Sequence, residues 1–441
     1  MTFLTGWGRT APTPATLVRP RTVEDLAALV AEAPTRGVIA RGLGRAYGDA
    51  AQNAGGTVVD VTAMPDRWTL DPATGVVTAS AGMSLDALMR ALVPLGWFVP
   101  VTPGTRYVTV GGAVAADVHG KNHHLDSSLG AHLRSLTLVT ADGTVRVLTP
   151  DDDLFWATVG GMGLTGLVAE ASFACVPIET SRVSVDVERT RDLDHTLEVM
   201  AATDDRYRYT VAWIDLLARG PRMGRSVLTR GDHARRDELP AGADPLAFAP
   251  ASRLAAPPWA PNGLLNRLTV RAFNEAWYAK SRERRVVQHL APFFHPLDSV
   301  AGWNRVYGSR GFVQYQFVVP SGEEATLRRI VSRLSGRGVV SFLTVLKRFG
   351  AGTPGMLSFP MPGWTLALDI PAGQDGLAGM LREFDGWVAT AGGRLYLAKD
   401  SRMRADLLPA MYPRLDEWRK IRDSVDPTGV FRSDLARRLD L

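Results

Sequence analysis

The sequence predicts an α+β fold divided between two domains. Three observations carry that expectation. Residues 20 to 175 alternate short β-type runs with glycine turns and contain few long helices. Near residue 181 the texture changes to strands of alternating polarity interleaved with helical patterns. At 441 residues the chain also exceeds one ordinary core, so about two or three domains are expected.

Taken in order, residues 22–30 read as an amphipathic helix, with Thr22 as N-cap and Asp25 at the third helical position. Val38-Ile39-Ala40 is an apolar strand feeding a tight loop. Residues 58–61, 76–79 and 136–139 are further strands. A second helix spans 84–92, capped by Ser84 and ended by Pro94 and Gly96. Asp142-Gly143 turns a hairpin into the strand 144–148. Beyond it, 181–187 alternates as a half-buried strand. The proline-, alanine- and arginine-rich stretch 231–262 has weak periodicity and predicts a long, mobile surface loop. A strand at 312–319, a helix at 322–335 and strands at 339–346 and 365–370 follow. Their interleaving suggests one antiparallel sheet covered on one face. Aromatic and polar side chains share its strands, as a ligand-facing sheet requires.

Composition narrows the function classes. With 46% hydrophobic and 22% charged residues the chain is globular rather than disordered. No stretch approaches the ~20 apolar residues of a membrane span. Residues 1–8 lack a charged segment followed by an apolar core, so no secretory signal is visible. A cytoplasmic or peripherally membrane-associated protein is expected, with the face of the membrane left open. The single cysteine, Cys175, lies in an apolar strand-like run, which predicts a buried structural thiol and no internal disulfide. The formal charge is only +5, but arginines cluster at 282–285 and 432–438. Such surfaces suit phosphates or anionic headgroups. No nucleic-acid-binding motif accompanies them, so nucleic acid is not expected.

The most informative segment is Ala40-Arg41-Gly42-Leu43-Gly44-Arg45-Ala46-Tyr47-Gly48-Asp49-Ala50. Its glycines let backbone N–H groups turn inward around an anion, a diphosphate above all, and two arginines strengthen that reading. The spacing fits neither the dinucleotide-binding nor the P-loop fingerprint. Three more glycine-rich stretches follow, at 102–113, 117–124 and 156–166. Four such loops in one domain imply an extended ligand on the scale of a dinucleotide. His119, His123, His124 and His132 invite a metal reading, but no acidic residue joins them at metal-ligand spacing, and none is expected to hold a metal. Cationic donors beside a phosphate or an electron-rich ring are the better account of His119 and Lys121.

These loops resemble the FAD domain of the vanillyl-alcohol-oxidase-type flavoproteins, and within that family the branch that oxidises decaprenylphosphoryl ribose. The resemblance continues through 303–308, 312–317, 395–402 and 411–414, and so covers nearly the whole chain. It implies a two-domain flavoprotein: an FAD-binding domain at 1–180 completed by 394–441, and a substrate domain with the antiparallel sheet at 181–393. By carry-over, residues 40–50 cradle the pyrophosphate. Gly104, Thr109, Val110, Gly111, Gly112, Ala116, Asp117, Val118 and His119 line the cofactor, with Val168 and Tyr396 completing the site. The wider family includes histidine-linked flavins, and the sequence leaves the attachment at His119 open.

The implied reaction is removal of hydride from a sugar carbon while a base takes the hydroxyl proton. Lys399 is the expected base, against a structural reading as an ion pair with Asp400. Tyr47 and His119 are expected to orient the sugar or polarise its hydroxyl. Gln314 and Gln316, two apart on one strand, point to one ligand. Lys121 and Lys347 are expected to meet the lipid phosphate or the flavin, and Trp213 to pack on the sugar. The resemblance also implies an NAD(P)H-dependent short-chain reductase as second subunit, together yielding an arabinose donor for cell-wall arabinan. One strand departs from the branch's pattern: Thr365 replaces an asparagine and Ala367 a cysteine. Neither chemical step needs a thiol, so activity is expected to survive. A soluble sugar or alditol oxidase is the alternative enzyme, and a basic non-enzymatic binding protein the alternative class. A lipid substrate predicts apolar exposed loops near the site, with 254–259 as the candidate.

Overall fold

The computed structural model describes residues 1–441 other than Arg253 and Trp259. Its first helix, Val23–Ala31, begins where the sequence places it. The Asp25 amide donates to the Thr22 hydroxyl, and the Asp25 carboxylate accepts the Thr22 amide, each at 3.1 Å. This reciprocal capping box satisfies two otherwise orphaned donors. Leu26 and Val30 then pack with Val38 and Val59.

Those valines belong to a four-stranded sheet ordered Thr2–Leu4, Thr13–Val18, Thr57–Asp60, Val38–Arg41. Its last three strands run parallel. A five-stranded antiparallel sheet follows, ordered Trp68–Asp71, Val76–Ser80, Leu167–Ala174, Leu133–Val139, Val145–Leu148. Helix Leu85–Leu92 packs beneath it, with the Ser84 hydroxyl accepting the Ala87 amide at 3.0 Å. Cys175 is a buried free thiol, its pKa pushed up to about 12 by burial.

The third sheet has eight strands and is antiparallel throughout. Its order is Arg284–His289, Arg182–Thr190, Ser226–His233, Tyr209–Ile214, Thr344–Phe349, Gly363–Pro371, Phe312–Pro320, Arg394–Leu395. Helices Leu193–Thr203, Glu324–Arg337 and Leu377–Thr390 pack against it. Tyr315 and Phe317 enter the large core that these helices share. Gln314 and Gln316, on the alternate positions, face the other way.

Two expectations shift. The strand expected at 339–346 starts only at Thr344. The preceding helix ends at Gly338 in the left-handed region (φ 63°), and the Val339 amide donates back to the Leu334 carbonyl at 3.0 Å. Val339 therefore completes a helix C-cap, which removes it from the strand. In the expected 231–262 loop, Gly231, Asp232 and His233 instead finish strand Ser226–His233, all three paired with strand Arg182–Thr190 and Gly231 also with Tyr209. Leu254–Ala255 forms a short parallel pair with Val300–Ala301.

After the edge strand Arg394–Leu395 the chain leaves the third sheet and returns to the N-terminal part. Phe431 bridges Val38. The Asp434 carboxylate accepts the Thr13 hydroxyl at 3.0 Å and the Ala54 amide at 2.9 Å. The buried Trp418 donates its indole N–H to the Ala157 carbonyl.

Candidate active site

One elongated cleft, with about 1740 Å³ of free space counting its open mouth, runs between the glycine loops and the bare face of the third sheet. The loop after Val38–Arg41 forms one wall. A Cβ on Gly42 would lie 2.2 Å from the Thr109 hydroxyl, and one on Gly48 would lie 2.0 Å from the Asp400 carbonyl. Only glycine lets this loop wedge between the Thr109 turn and the C-terminal segment. The backbone N–H groups of Leu43, Gly44, Arg45 and Ala46 find no acceptor among the described residues. All four residues line the cleft. A row of free amide donors beside an arginine is the donor set of a diphosphate site.

Strand register builds the opposite wall. Gln316 stands opposite Ala367, Ala367 opposite Val345, and Val345 opposite Trp213. Gln314 stands opposite Asp369, and Thr365 opposite Lys347. Because directly opposed residues share a face, these side chains from four strands line one face of the sheet.

Lys399 comes from the C-terminal segment, and its ammonium lies 4.0 Å from the centre of the Tyr47 ring. Among the described residues it has no ion-pair partner. Asp400 instead binds Arg438, whose guanidinium also grips Asp49 through two bonds of 2.9 and 2.8 Å. Burial lowers the pKa of Lys399, and the Asp369 charge opposes that shift. Asp369 is fully buried. One of its oxygens accepts the Gln314 amide at 2.5 Å, and the other has no hydrogen-bond partner among the described residues. Burial raises its pKa, against the Gln314 bond and the Lys399 charge. Burial, and next the Asp369 charge, hold the Tyr47 phenol well above its ordinary value, so it stays a donor.

His119 is held at both ring nitrogens, Nδ1 by Lys347 Nζ and Nε2 by the Gln316 amide, each at 3.0 Å. Burial, then Lys347, His123 and Lys399, depress its pKa far below the usual value, so the ring is neutral. Burial, then Lys121 and Lys399, lower the Lys347 pKa to about 7. Gln316 also donates to Thr365, which donates to the Phe317 carbonyl. Tyr396 donates its hydroxyl to the Ala116 carbonyl at 2.8 Å and stacks on Phe359.

Of the sequence-derived residues, the cleft wall includes Ala40, Gly42 through Tyr47, Ala50, Gly104, Thr109, Gly111, Gly112, Ala116, Val118, His119 and Val168. It also includes Gln314, Gln316, Lys347, Ala367, Tyr396 and Lys399. Others stand behind the wall. Arg41 ties the loop from beneath, donating to the Thr5 and Ala51 carbonyls at 2.8 and 3.0 Å. Gly48 and Asp49 face the C-terminal segment, and Val110 is core. Asp117 is a buried hub that accepts from Ser128, Gly130, Thr353 and Ser358. Lys121 donates to the Phe293 carbonyl and lies over that ring, its pKa lowered to about 7 by burial. Trp213 donates to the Phe342 carbonyl at 3.0 Å, which tethers the segment bearing Leu343. Thr365 is buried beneath Gln316.

His124 and His132 bond carbonyls elsewhere, and no cluster among the described residues could hold a metal ion. In the 254–259 segment Leu254 is exposed and Ala256 buried, while Trp259 lies outside the described residues. Asp369, Trp303 and Leu343 were not singled out from the sequence. For Asp369 the signal was an acid in an apolar strand.

The sequence comparisons agree with this geometry. A family of FAD binding domains matches residues 14–149, and D-arabinono-1,4-lactone oxidase matches residues 374–439. The chain is 49% identical to the decaprenylphosphoryl-beta-D-ribose oxidase of Mycolicibacterium smegmatis, over 99% of this chain and 97% of the relative. It belongs to the decaprenylphosphoryl-ribose oxidase family. Like other members of that family it is an FAD flavoprotein, and the free amides of the first loop fit the cofactor's diphosphate. More distant relatives are the L-gulono-1,4-lactone dehydrogenase of Mycobacterium tuberculosis, 26% identical over 97% of the chain and 96% of the relative, and a Streptomyces alditol oxidase. The latter is 28% identical over only 40% of this chain and 42% of the relative.

Proposed function

We propose that the protein oxidises the 2'-hydroxyl of decaprenylphosphoryl-β-D-ribose to the 2'-keto sugar. Bound FAD supplies the hydride acceptor. The cleft-lining residues of 40–50, the Thr109 turn and Tyr396 would hold it. The observation that carries the reading is the placement of Lys399: an amine in the cleft, unpaired among the described residues, beside Tyr47 and opposite the Gln314–Asp369 pair.

Removing hydride from a carbinol carbon leaves a proton on oxygen, and a free alkoxide is costly at neutral pH. Lys399 Nζ takes that proton. Its depressed pKa provides neutral amine nearer to working pH than an exposed lysine would. Tyr47 and the amides of Gln314 and Gln316 orient the sugar, and neutral His119 fixes Gln316 and Lys347 in one chain. Lys347, whose charge a nearby phosphate would restore, faces the anionic part of the substrate. The product is an electrophilic ketone, and an NAD(P)H-dependent short-chain reductase would complete the epimerisation to the arabinose donor. Peripheral association with a membrane would give access to the lipid; among the described residues no helix is long and apolar enough to cross one.

Anaerobic addition of farnesyl- or decaprenylphosphoryl ribose to the yellow protein tests the reading. Bleaching of the flavin band is expected. A flavin that stays oxidised, yet is reduced by a soluble alditol, would overturn the substrate assignment.

A further inference from the structure

Helix Arg267–Lys280 presents an apolar face to solvent. Asn266 caps it, its side chain accepting the Leu268 and Thr269 amides at 2.9 and 3.1 Å. At 100° per residue, Val270, Asn274 and Tyr278 fall on one side. That side is anchored: Val270 and Asn274 are buried, Asn274 donates to Asp215, and Tyr278 donates to the Thr190 carbonyl. The remaining, outward half of the circumference carries Leu268, Ala272, Phe273, Ala276, Trp277 and Ala279, all exposed, with Trp277 and Leu268 at its two edges. Leu268 is 81% exposed, Phe273 43% and Trp277 42%, and the two aromatic rings stack with an interplanar angle of 14°. A surface helix ordinarily turns its polar side outward. This one reverses the rule.

Two further observations say what covers it. On this helix and the segment that follows it, Arg271, Lys280, Arg282 and Arg284 are exposed and make no ion pair among the described residues. Of the acids there, Glu275 is matched by Arg225 and the exposed Glu283 offsets one of the four cations. An apolar face bearing tryptophan and phenylalanine, rimmed by free cations, matches the boundary between headgroups and acyl chains of an anionic leaflet. The face is also continuous with the cleft. The Phe273 ring lies 6.0 Å from Phe342, which lies 5.9 Å from Tyr307. The neighbouring Leu343 and Trp303 line the cleft wall.

We infer that the outer face of helix Arg267–Lys280 docks the protein on an anionic lipid surface and leads the prenyl tail of the substrate along Phe273 and Phe342 into the cleft. This rests on the lipid-substrate reading above. The test is co-sedimentation of the holoenzyme with phosphatidylcholine vesicles, with and without about one-third phosphatidylglycerol. Preferential, salt-sensitive binding to the anionic vesicles is expected. Leu268→Ser combined with Trp277→Ser should weaken it about tenfold or more, with an unchanged melting temperature. Flavin reduction by water-dispersed farnesylphosphoryl ribose should stay at the wild-type rate in that variant, while turnover of vesicle-borne long-chain substrate falls.

Vesicle binding equal in variant and wild type would overturn the inference. So would no binding by the wild type, the result expected if the face serves a protein partner. Equal loss on the dispersed short-chain substrate would place the face in the chemistry and also overturn it. Docking through this face by an enzyme that no prenylphosphoryl ribose reduces would support the surface and refute the substrate reading alone.

Discussion

Replacing Lys399 with methionine separates proton transfer from everything else the cleft does. Methionine keeps the unbranched stem and approximate volume, so packing beside Tyr47 persists while the amine is removed. No ion pair among the described residues is broken, because Asp400 is held by Arg438. Loss of a buried cation without a counterion should leave thermal stability unchanged, or higher by about 1 kcal/mol. FAD should remain bound. The rate of flavin bleaching should fall by roughly 10²–10⁴, the usual contribution of a general base, or about 3–5 kcal/mol of barrier.

The pH profile sharpens the test. A lysine accepts a proton only as the neutral amine, whose fraction rises with pH. Burial depresses the pKa of Lys399. The wild-type rate should therefore climb with pH to a plateau, with a midpoint below the ordinary lysine value of about 10.4. The Lys399→Met variant should show no such climb. Anaerobic stopped-flow absorbance with farnesylphosphoryl ribose reads both quantities. A variant bleaching within tenfold of wild type, or retaining the same climb, would refute Lys399 as the base. A colourless variant would assign it to cofactor binding instead.

Three other substitutions probe the surroundings. The Asp369 charge raises the pKa of Lys399, so Asp369→Asn should move the midpoint of the rate profile to lower pH, by about half a unit or more; a shift to higher pH would sink this coupling. Arg438→Met leaves the carboxylates of Asp49 and Asp400 unpaired against the diphosphate loop, which should cost about 2 kcal/mol and weaken FAD retention, read by thermal melting and by the flavin-to-protein absorbance ratio. Ala367→Cys places a thiol in the cleft wall, so a thiol-directed electrophile should add one label to the variant and none to wild type, whose Cys175 is buried and held protonated; intact mass spectrometry decides, and labelling of wild type would contradict it.

The glycine loop that lines the cleft was legible because its signal is local. Three glycines and two arginines within nine residues of a strand declare a backbone-lined anion site before any contact is known. The same holds for the Thr22 and Ser84 caps, which are decided within four residues. The opposite wall was only half legible. Spacing puts Gln314 and Gln316 on one face, but nothing local shows that Asp369, Ala367 and Val345 continue their rows, because register between distant strands is set by tertiary packing. Lys399 illustrates the same limit. Adjacency in the chain favoured a bond to Asp400, and only the return of the C-terminal helix with Arg438 shows that this carboxylate is engaged elsewhere. Lys121 sits in a glycine-rich loop suited to a ligand, yet its amine turns to the Phe293 carbonyl behind the wall.

The arrangement of charge has a physical logic of its own. The described cleft wall carries Arg45, Lys347 and Lys399 and no carboxylate, while Asp369 stands behind it and is partly discharged by burial. Buried amines without counterions destabilise a fold, and Lys347 and Lys121 both respond by losing affinity for their protons. Such an arrangement persists when a ligand supplies the missing negative charge. A diphosphate at the first loop and a phosphodiester beside Lys347 would do so. Lys399 is the amine whose proposed role requires it to be neutral. Such anions raise the proton affinity of nearby amines, so distance from those phosphates matters as much as burial. Burial lowers the proton affinity of Lys399, opposed by Asp369, and so keeps it available as a base.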